Sequence, residues 1–230
     1  LFVHAIFLVL LGADTGHFPI ANKSEFFSLL ALSVGATYAL AERWHREANT
    51  GVFFIAIVFV FELASAWMTG DPGTIPERSR DPIYGIHVIF TVSGFAGLTV
   101  SSLYALMYVL LNRQLKSRKL GLIFRQLPPL SMLEKMSKLA TTTGVILLGV
   151  GLVLGHYVAI RQFGYVDVFQ HPIIVVADLA WLAYVIGIVV VRTKGLSGVR
   201  MGYLSLGGYL LFMASLVIVL TRFGAFHTFS

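Results

Sequence analysis

Seven long apolar runs, separated by short polar connectors, limit the fold of this chain more than any other feature. The runs cover residues 1–13, 24–43, 51–70, 83–112, 133–160, 171–192 and 200–222. Most of them are close to or above the roughly 20 apolar residues that a helix needs to cross a bilayer. A backbone in lipid must satisfy its own hydrogen bonds, as a helix does. We therefore predict an all-α, polytopic transmembrane helical bundle of about seven spans.

The composition predicts a single integral membrane domain over residues 1–230. The chain is 57% hydrophobic and 12% charged, and its mean hydropathy is +0.83. A soluble domain of this size needs more polar residues to cover its surface. The absence of cysteine excludes thiolate metal ligands and thioether-linked cofactors. Leu1 stands inside an apolar run, so we expect an upstream segment with room for one more span.

The distribution of basic residues predicts the orientation of the bundle. Most of the 17 Lys and Arg residues flank one side of the runs: Arg43, Arg46, Arg113, Lys116, Arg118, Lys119, Arg125, Lys135, Lys138, Arg192, Lys194 and Arg200. Cytoplasmic loops of membrane proteins carry such an excess, so this side is predicted to be cytoplasmic and the C-terminus to lie outside. Because the charges sit in short loops between spans, they do not indicate nucleic acid. A solvated loop that only sets the orientation is the main interpretation, and binding of anionic lipid is the alternative.

The fourth run contains a stripe of small and polar residues that predicts close helix packing. Helical steps of three, four and seven place His87, Thr91, Gly94, Leu98 and Ser101 on one face. Small residues allow neighbouring helices to approach closely, so this face is predicted to point into the protein and not at lipid. Gly151 and Gly155 of the fifth run form a similar pair.

Five of the seven histidines fall on the predicted outer side or just beneath it: His17, His87, His156, His171 and His227. Two imidazoles from different helices on one membrane face are the minimum for bis-histidine ligation of a heme iron. For His87, at the start of a long helix, the alternative is a hydrogen bond to a neighbouring helix. For His156 and His171, helix capping or interfacial hydrogen bonding are the alternatives.

Two carboxylates, Glu62 and Asp178, lie inside spans. A buried acid in a membrane is costly, so a partner or a water-filled cavity is expected for each. Pairing with a neighbour such as Arg222 or a hydroxyl and a role in proton relay or ligand contact both remain open.

Ser131, followed three residues later by Glu134, is typical of a capping box that opens the next helix. Trp181 is typical of an interfacial aromatic residue.

Four segments, in this order, resemble the cytochrome c assembly proteins of the CcsA, CcmC and HemX types. Residues 16–22 with Glu25 are similar to the family's GHFPxSN…E segment, and residues 85–88 to the start of its first histidine-bearing helix. Residues 127–139 are similar to its LPSLExLDRL segment, and His227 matches the position of its second external histidine. The family's tryptophan-rich loop ends in WDPKE. Here segment 164–173 keeps Pro172 but has no tryptophan, and His171 stands in place of the aspartate. This chain therefore looks closest to the HemX-type members.

The resemblance implies a heme-handling protein of cytochrome c biogenesis, acting at the outer face of a bacterial inner membrane. His87 and His227 would be axial ligands of heme b, held stably or in transit, with His156 and His171 as further contacts. The predicted aromatic wall is Phe163, Tyr165 and Phe169, and the predicted propionate partners are Arg161, Arg222 and Arg78. The partners would be lipid and other membrane or cytochrome c maturation proteins.

We expect an assembly factor rather than a turnover enzyme. One alternative is a HemX-type structural or regulatory subunit without heme transfer. Another is a heme-b electron-transfer subunit of a quinone-linked complex.

Overall fold

A computed structural model describes residues 1–20, 22–45, 49–68, 77–118, 127–163 and 172–222 of the chain. These residues form seven α-helices and one short 3-10 helix, and every apolar run corresponds to one α-helix. The α-helices are α1 (Phe2–Thr15), α2 (Lys23–His45), α3 (Gly51–Trp67), α4 (Pro82–Ser117), α5 (Leu130–Phe163), α6 (Pro172–Thr193) and α7 (Val199–Arg222); the 3-10 helix is Glu77–Arg80.

Within the described residues, four helices include segments long and apolar enough to cross a membrane, and they confirm the predicted helical membrane bundle. The segments are Lys23–Arg43, Pro82–Ser117, Leu130–Arg161 and Ile174–Thr193. Large apolar side chains such as Val153 and Leu210 point outward from the bundle. In a membrane this surface faces lipid, so its exposure carries no energetic penalty.

Helix α4 is the central element, and its interface with α5 is built on glycine. A Cβ atom added to Gly144 would lie 3.0 Å from the Gly94 carbonyl oxygen and 3.0 Å from the Leu98 nitrogen. A Cβ atom added to Gly151 would meet Thr91 in the same way. The two backbones are therefore close enough to require glycine. The predicted stripe on α4 does face the protein, as expected.

A buried hydroxyl cluster extends this interface toward α7. Ser101 Oγ donates to the Ser137 carbonyl at 2.9 Å and lies 2.5 Å from Thr141 Oγ1 and 3.3 Å from Ser205 Oγ. Hydrogen bonds of this kind join α4, α5 and α7, since the alternative in an apolar interior is an unsatisfied polar group. A further hydrogen bond joins α4 to α7, since Thr99 Oγ1 lies 2.9 Å from the Tyr209 hydroxyl oxygen.

Helix α6 is largely exposed and is held to α5 at two points. Trp181 Nε1 donates to the Val145 carbonyl at 2.9 Å, and Gly149 leaves room for the indole ring. The second point is an ion pair between His156 and Asp178, described below. Trp181 therefore packs against α5, and its interpretation as an interfacial aromatic residue stays a prediction.

The start of α5 also differs from the sequence prediction. The helix begins at Leu130, so Ser131 is already inside it and does not cap it. The Glu134 carboxylate instead accepts from the Gly198 backbone N–H at 3.0 Å and from Lys138 Nζ at 2.7 Å. This carboxylate connects α5 to the loop before α7. The predicted capping box was wrong because a tertiary contact takes the acid.

Candidate functional site

The candidate site is organised by His87, which lies in the second turn of α4. The Asp81 side chain accepts a hydrogen bond from the Ile83 N–H at 2.9 Å, and Pro82 occupies the first turn. An acceptor at the N-cap followed by proline fixes where a helix begins. The start of α4, and with it the height of His87 in the bundle, is therefore set by local sequence.

The His87 ring points across the interface at α5. Its Nδ1 donates to the carbonyl oxygen of Gly151 at 2.6 Å. A Cβ atom added to Gly155 would lie 2.6 Å from His87 Cε1 and 2.9 Å from Nδ1. The GxxxG pair of α5 thus forms the seat of this imidazole, with Gly155 providing space and Gly151 providing the acceptor.

The hydrogen bond to Gly151 determines which ring nitrogen of His87 keeps a lone pair. A carbonyl oxygen can only accept, so Nδ1 must carry the hydrogen. In a neutral imidazole, Nε2 is then unprotonated. Among the described residues, Nε2 of His87 has no hydrogen-bond partner, and the residue is half-buried. The arrangement matches that of a metal-ligating histidine, whose second nitrogen commonly donates to a backbone carbonyl or carboxylate.

His156, on α5 near this seat, has both of its ring nitrogens in use. Nδ1 lies 2.9 Å from the Leu152 carbonyl oxygen, and Nε2 lies 3.1 Å from Asp178 Oδ2 on α6. The intramembrane acid Asp178 therefore pairs with a neighbour, as the sequence predicted, and this neighbour is a histidine. With both nitrogens engaged, His156 offers a polar surface and not a free lone pair.

The other intramembrane acid, Glu62, also pairs with a histidine. His4 Nε2 of α1 lies 3.2 Å from Glu62 Oε1 of α3 and 2.8 Å from Ser28 Oγ of α2. Three helices meet at this cluster, and none of these contacts involves His87. The sequence indicated that both acids need partners, but not which residues supply them.

Arg161 is exposed at the end of α5 that carries His156. Its guanidinium carbon lies 5.8 Å from the centroid of the Tyr157 ring, one helical turn earlier. A cation above an aromatic face is held loosely and keeps its donors available for an anionic group. The predicted role of Arg161 as a carboxylate partner is compatible with this position and stays a prediction.

The remaining predicted site residues cannot be compared with the geometry. His171, His227, Tyr165 and Phe169 lie outside the described residues, as do the side chains of Phe163, Arg222 and Arg78. Their roles stay predictions. Within the described part of the chain, no three histidine or carboxylate side chains converge as a metal-ion site would require.

Tyr84 is a neighbour of His87 that the sequence analysis did not assign to the site. The two ring centroids are 6.0 Å apart with planes inclined at 38°, and Tyr84 is buried. Their spacing of three residues on α4 was the available signal, because residues three apart share a helix face.

The segment before α2 packs against the start of α4. The Phe18 N–H donates to the Ser79 carbonyl at 3.0 Å, and the Phe18 ring occupies the space beside Gly85, where a Cβ atom would lie 2.4 Å from the ring. Residues 16–20 and the beginning of α4 are therefore one packed unit. His17 of this segment is buried.

Comparisons with known proteins agree with a helical membrane protein built in this way. The model of the family described as cytochrome C assembly protein matches residues 20–224, and the chain belongs to this family. The Inner membrane protein YpjD of Escherichia coli K12 is 26% identical over 228 residues, covering 96% of this chain and 80% of that protein. YpjD of Escherichia coli O157:H7 matches equally. No solved structure matches the chain.

Proposed function

We propose that this protein binds heme b at the outer end of the bundle and acts in cytochrome c biogenesis as a membrane assembly factor. The observation that carries the proposal is the preset imidazole of His87, whose Nδ1 donates to Gly151 while Nε2 keeps its lone pair. Family membership gives the biological setting. When bound, heme would bring an iron that takes imidazole nitrogens at its two axial positions.

The proposed second axial ligand is His227, and the packing of α7 on α4 supports it. The contacts Ser101–Ser205, Thr99–Tyr209 and Phe95–Phe212 define an antiparallel register between these helices. Extended toward the end of α7, this register brings the α7 backbone near residue 220 level with His87 of α4. Helix α7 ends at Arg222, and the five residues that follow can span at most about 17 Å. This length of chain supports the proposal that His227 reaches an iron held by His87.

The residues proposed to surround the porphyrin belong to helix ends and to a connector at the level of His87. Helix α5 ends at Phe163 and α6 begins at Pro172, so the connector with Tyr165, Phe169 and His171 joins helix ends on the side of His87. Aromatic side chains there would cover the porphyrin, and Arg161 and Arg222 would pair with its propionates. The His156–Asp178 pair would form part of the wall.

The proposed location is an inner membrane, with the heme site at its outer face. The relative YpjD is named an inner membrane protein, and the charge distribution favours an outer position for the start of α4. The partners would be heme, lipid and other proteins of the maturation pathway. Heme would be bound stably or in transit.

A gene deletion tests the role in biogenesis. In a strain that lacks the protein, we expect the level of holo-cytochrome c to fall and to recover with the wild-type gene but not with a His87→Ala gene. Equal membrane content of the two proteins, measured by immunoblotting, is the control. An unchanged cytochrome c level in the deletion strain would reject the biogenesis role.

A HemX-type structural or regulatory subunit is the second candidate, favoured by the absence of tryptophan from segment 164–173. Under that proposal the deletion strain keeps its cytochrome c but loses a partner complex. Blue-native electrophoresis of membranes from the same strain distinguishes the two.

A further inference from the structure

A cavity lies at the His87 end of the bundle, on the side of α4 that faces α1 and α2. It has a volume of about 530 Å³ and is enclosed by α1, residues 16–20, α2 and the first turns of α4. Gly85, Val88 and Ile89 supply the α4 wall, whereas His87 points at α5. This cavity is therefore separate from the proposed heme site. Its size falls in the range of small-molecule sites.

One polar side chain in the cavity is that of His17, whose contacts do not show a role in stabilising the fold. His17 is 6% exposed and lines the cavity. Its Nδ1 lies 2.7 Å from the Phe18 carbonyl oxygen and must therefore carry the hydrogen. The other nitrogen, Nε2, is then an acceptor, and within the described residues no donor reaches it. This nitrogen can therefore accept a hydrogen bond from a ligand or a water molecule in the cavity.

The other residues that line the cavity indicate what kind of ligand it would bind. Val9 and Ile89 line the cavity and are 69% and 51% exposed, so the cavity opens toward lipid between α1 and α4. Leu8, Leu29 and Leu32 make the interior apolar, and Phe18 adds an aromatic ring. Arg80, an exposed cation, stands at the rim.

We infer that this cavity binds the head group of an isoprenoid quinol, with one hydroxyl donating to His17 Nε2. An apolar tail would leave through the opening between Val9 and Ile89, and the aromatic head would lie against Phe18. A phospholipid phosphate fits poorly at His17, because it offers only acceptors to a nitrogen that is itself an acceptor. The same argument predicts a preference for quinol over quinone, whose carbonyl oxygens also only accept. The inference concerns binding alone and involves no electron transfer.

Photolabelling of the full chain tests the inference. The protein, in nanodiscs of quinone-free phosphatidylcholine, is labelled anaerobically with a photoreactive azidoquinol, and decylubiquinol or decylubiquinone is added as competitor. We expect labelled peptides from residues 1–20 or 79–89 and about tenfold tighter competition by the quinol, the worth of one good hydrogen bond. His17→Leu should remove this preference, and His17→Asn, which retains an acceptor oxygen, should restore part of it.

Variants at the opening keep the test valid if His17→Leu fails to fold. Val9→Trp places a large side chain at the exposed opening and should abolish labelling. Ile6→Trp, on an exposed position of the same helix outside the cavity lining, should leave it intact. His87→Ala should also leave it intact, which separates this site from the heme site.

Three results would overturn the inference: no specific labelling, labelling that Val9→Trp leaves unchanged, or equal competition by quinol and quinone in the wild type. Displacement of the label by phosphatidylglycerol at the same concentration as by quinol would also overturn it, since the cavity would then be a phospholipid site. None of these results bears on heme bound at His87.

Discussion

His87 of α4 and Gly151 of α5 are joined by a hydrogen bond of 2.6 Å from the imidazole Nδ1 to the backbone carbonyl. The bond fixes both the tautomer and the direction of the ring before any ligand arrives. Because the acceptor belongs to the backbone of a glycine-lined interface, its position depends on helix packing and not on a side-chain rotamer. A rigid ligand on a rigid helix loses little conformational entropy on binding.

Gly155→Ala should displace the His87 ring. The added methyl group would lie 2.6 Å from Cε1 of His87, with α4 behind the ring, so the helices must separate or the ring must turn. We expect a loss of about 1–3 kcal/mol in the free energy of unfolding, as for other overpacked interiors. Thermal unfolding in detergent, followed by circular dichroism, measures it.

Gly187→Ala on α6 is the matched control for that variant. A Cβ atom there meets no other atom within 4 Å, so its melting temperature should stay at or slightly above that of the wild type. Equal melting temperatures for the two alanine variants would show that α5 does not need glycine beside His87.

The His156–Asp178 pair should couple α5 to α6 modestly. Its two side chains are 25% and 38% exposed, and measured couplings between polar side chains of membrane helices are modest. In a double-mutant cycle with His156→Gln and Asp178→Asn, we expect a coupling energy of about 0.5–1.5 kcal/mol. Steric trapping or urea unfolding in mixed micelles provides the four stabilities. A coupling energy of zero would mean that this pair does not contribute to the packing of α6 on α5.

Ser101→Ala should destabilise the bundle by about 1–3 kcal/mol. Ser101 and Ser137 are both fully buried, and removal of the Ser101 hydroxyl leaves its partners on α5 and α7 with fewer hydrogen bonds. Ser117→Ala, at the exposed end of the same helix, should change stability by less than about 0.5 kcal/mol. The prediction fails if the two substitutions have equal effects on the unfolding midpoint.

The sequence predicted those features that depend on one helix at a time. Apolar run length gave the seven helices, and the period of 3.6 residues placed His87, Thr91 and Gly94 on the face that packs. The small side chains on this face and in the Gly151–Gly155 pair were enough to predict close approach. Each of these signals depends only on residues within a single segment.

Features that depend on how two helices meet were not predictable in this way. The partners of Glu62 and Asp178 are histidines on other helices, His4 and His156, which no spacing along the chain relates to them. Glu134 bonds Gly198 rather than capping its own helix, because a neighbouring loop presents a backbone N–H to it. The rotation of each helix about its axis selects among such partners, and tertiary packing sets that rotation.

The most direct test of the central claim is the absorption spectrum of purified protein loaded with heme b. The account predicts a low-spin, six-coordinate Soret spectrum for the wild type and an affinity for heme lowered by about tenfold or more in His87→Ala. Added imidazole should restore the spectrum of that variant, and His45→Ala, at the opposite end of the bundle, should match the wild type. A Soret band and affinity that His87→Ala leaves unchanged would contradict the account.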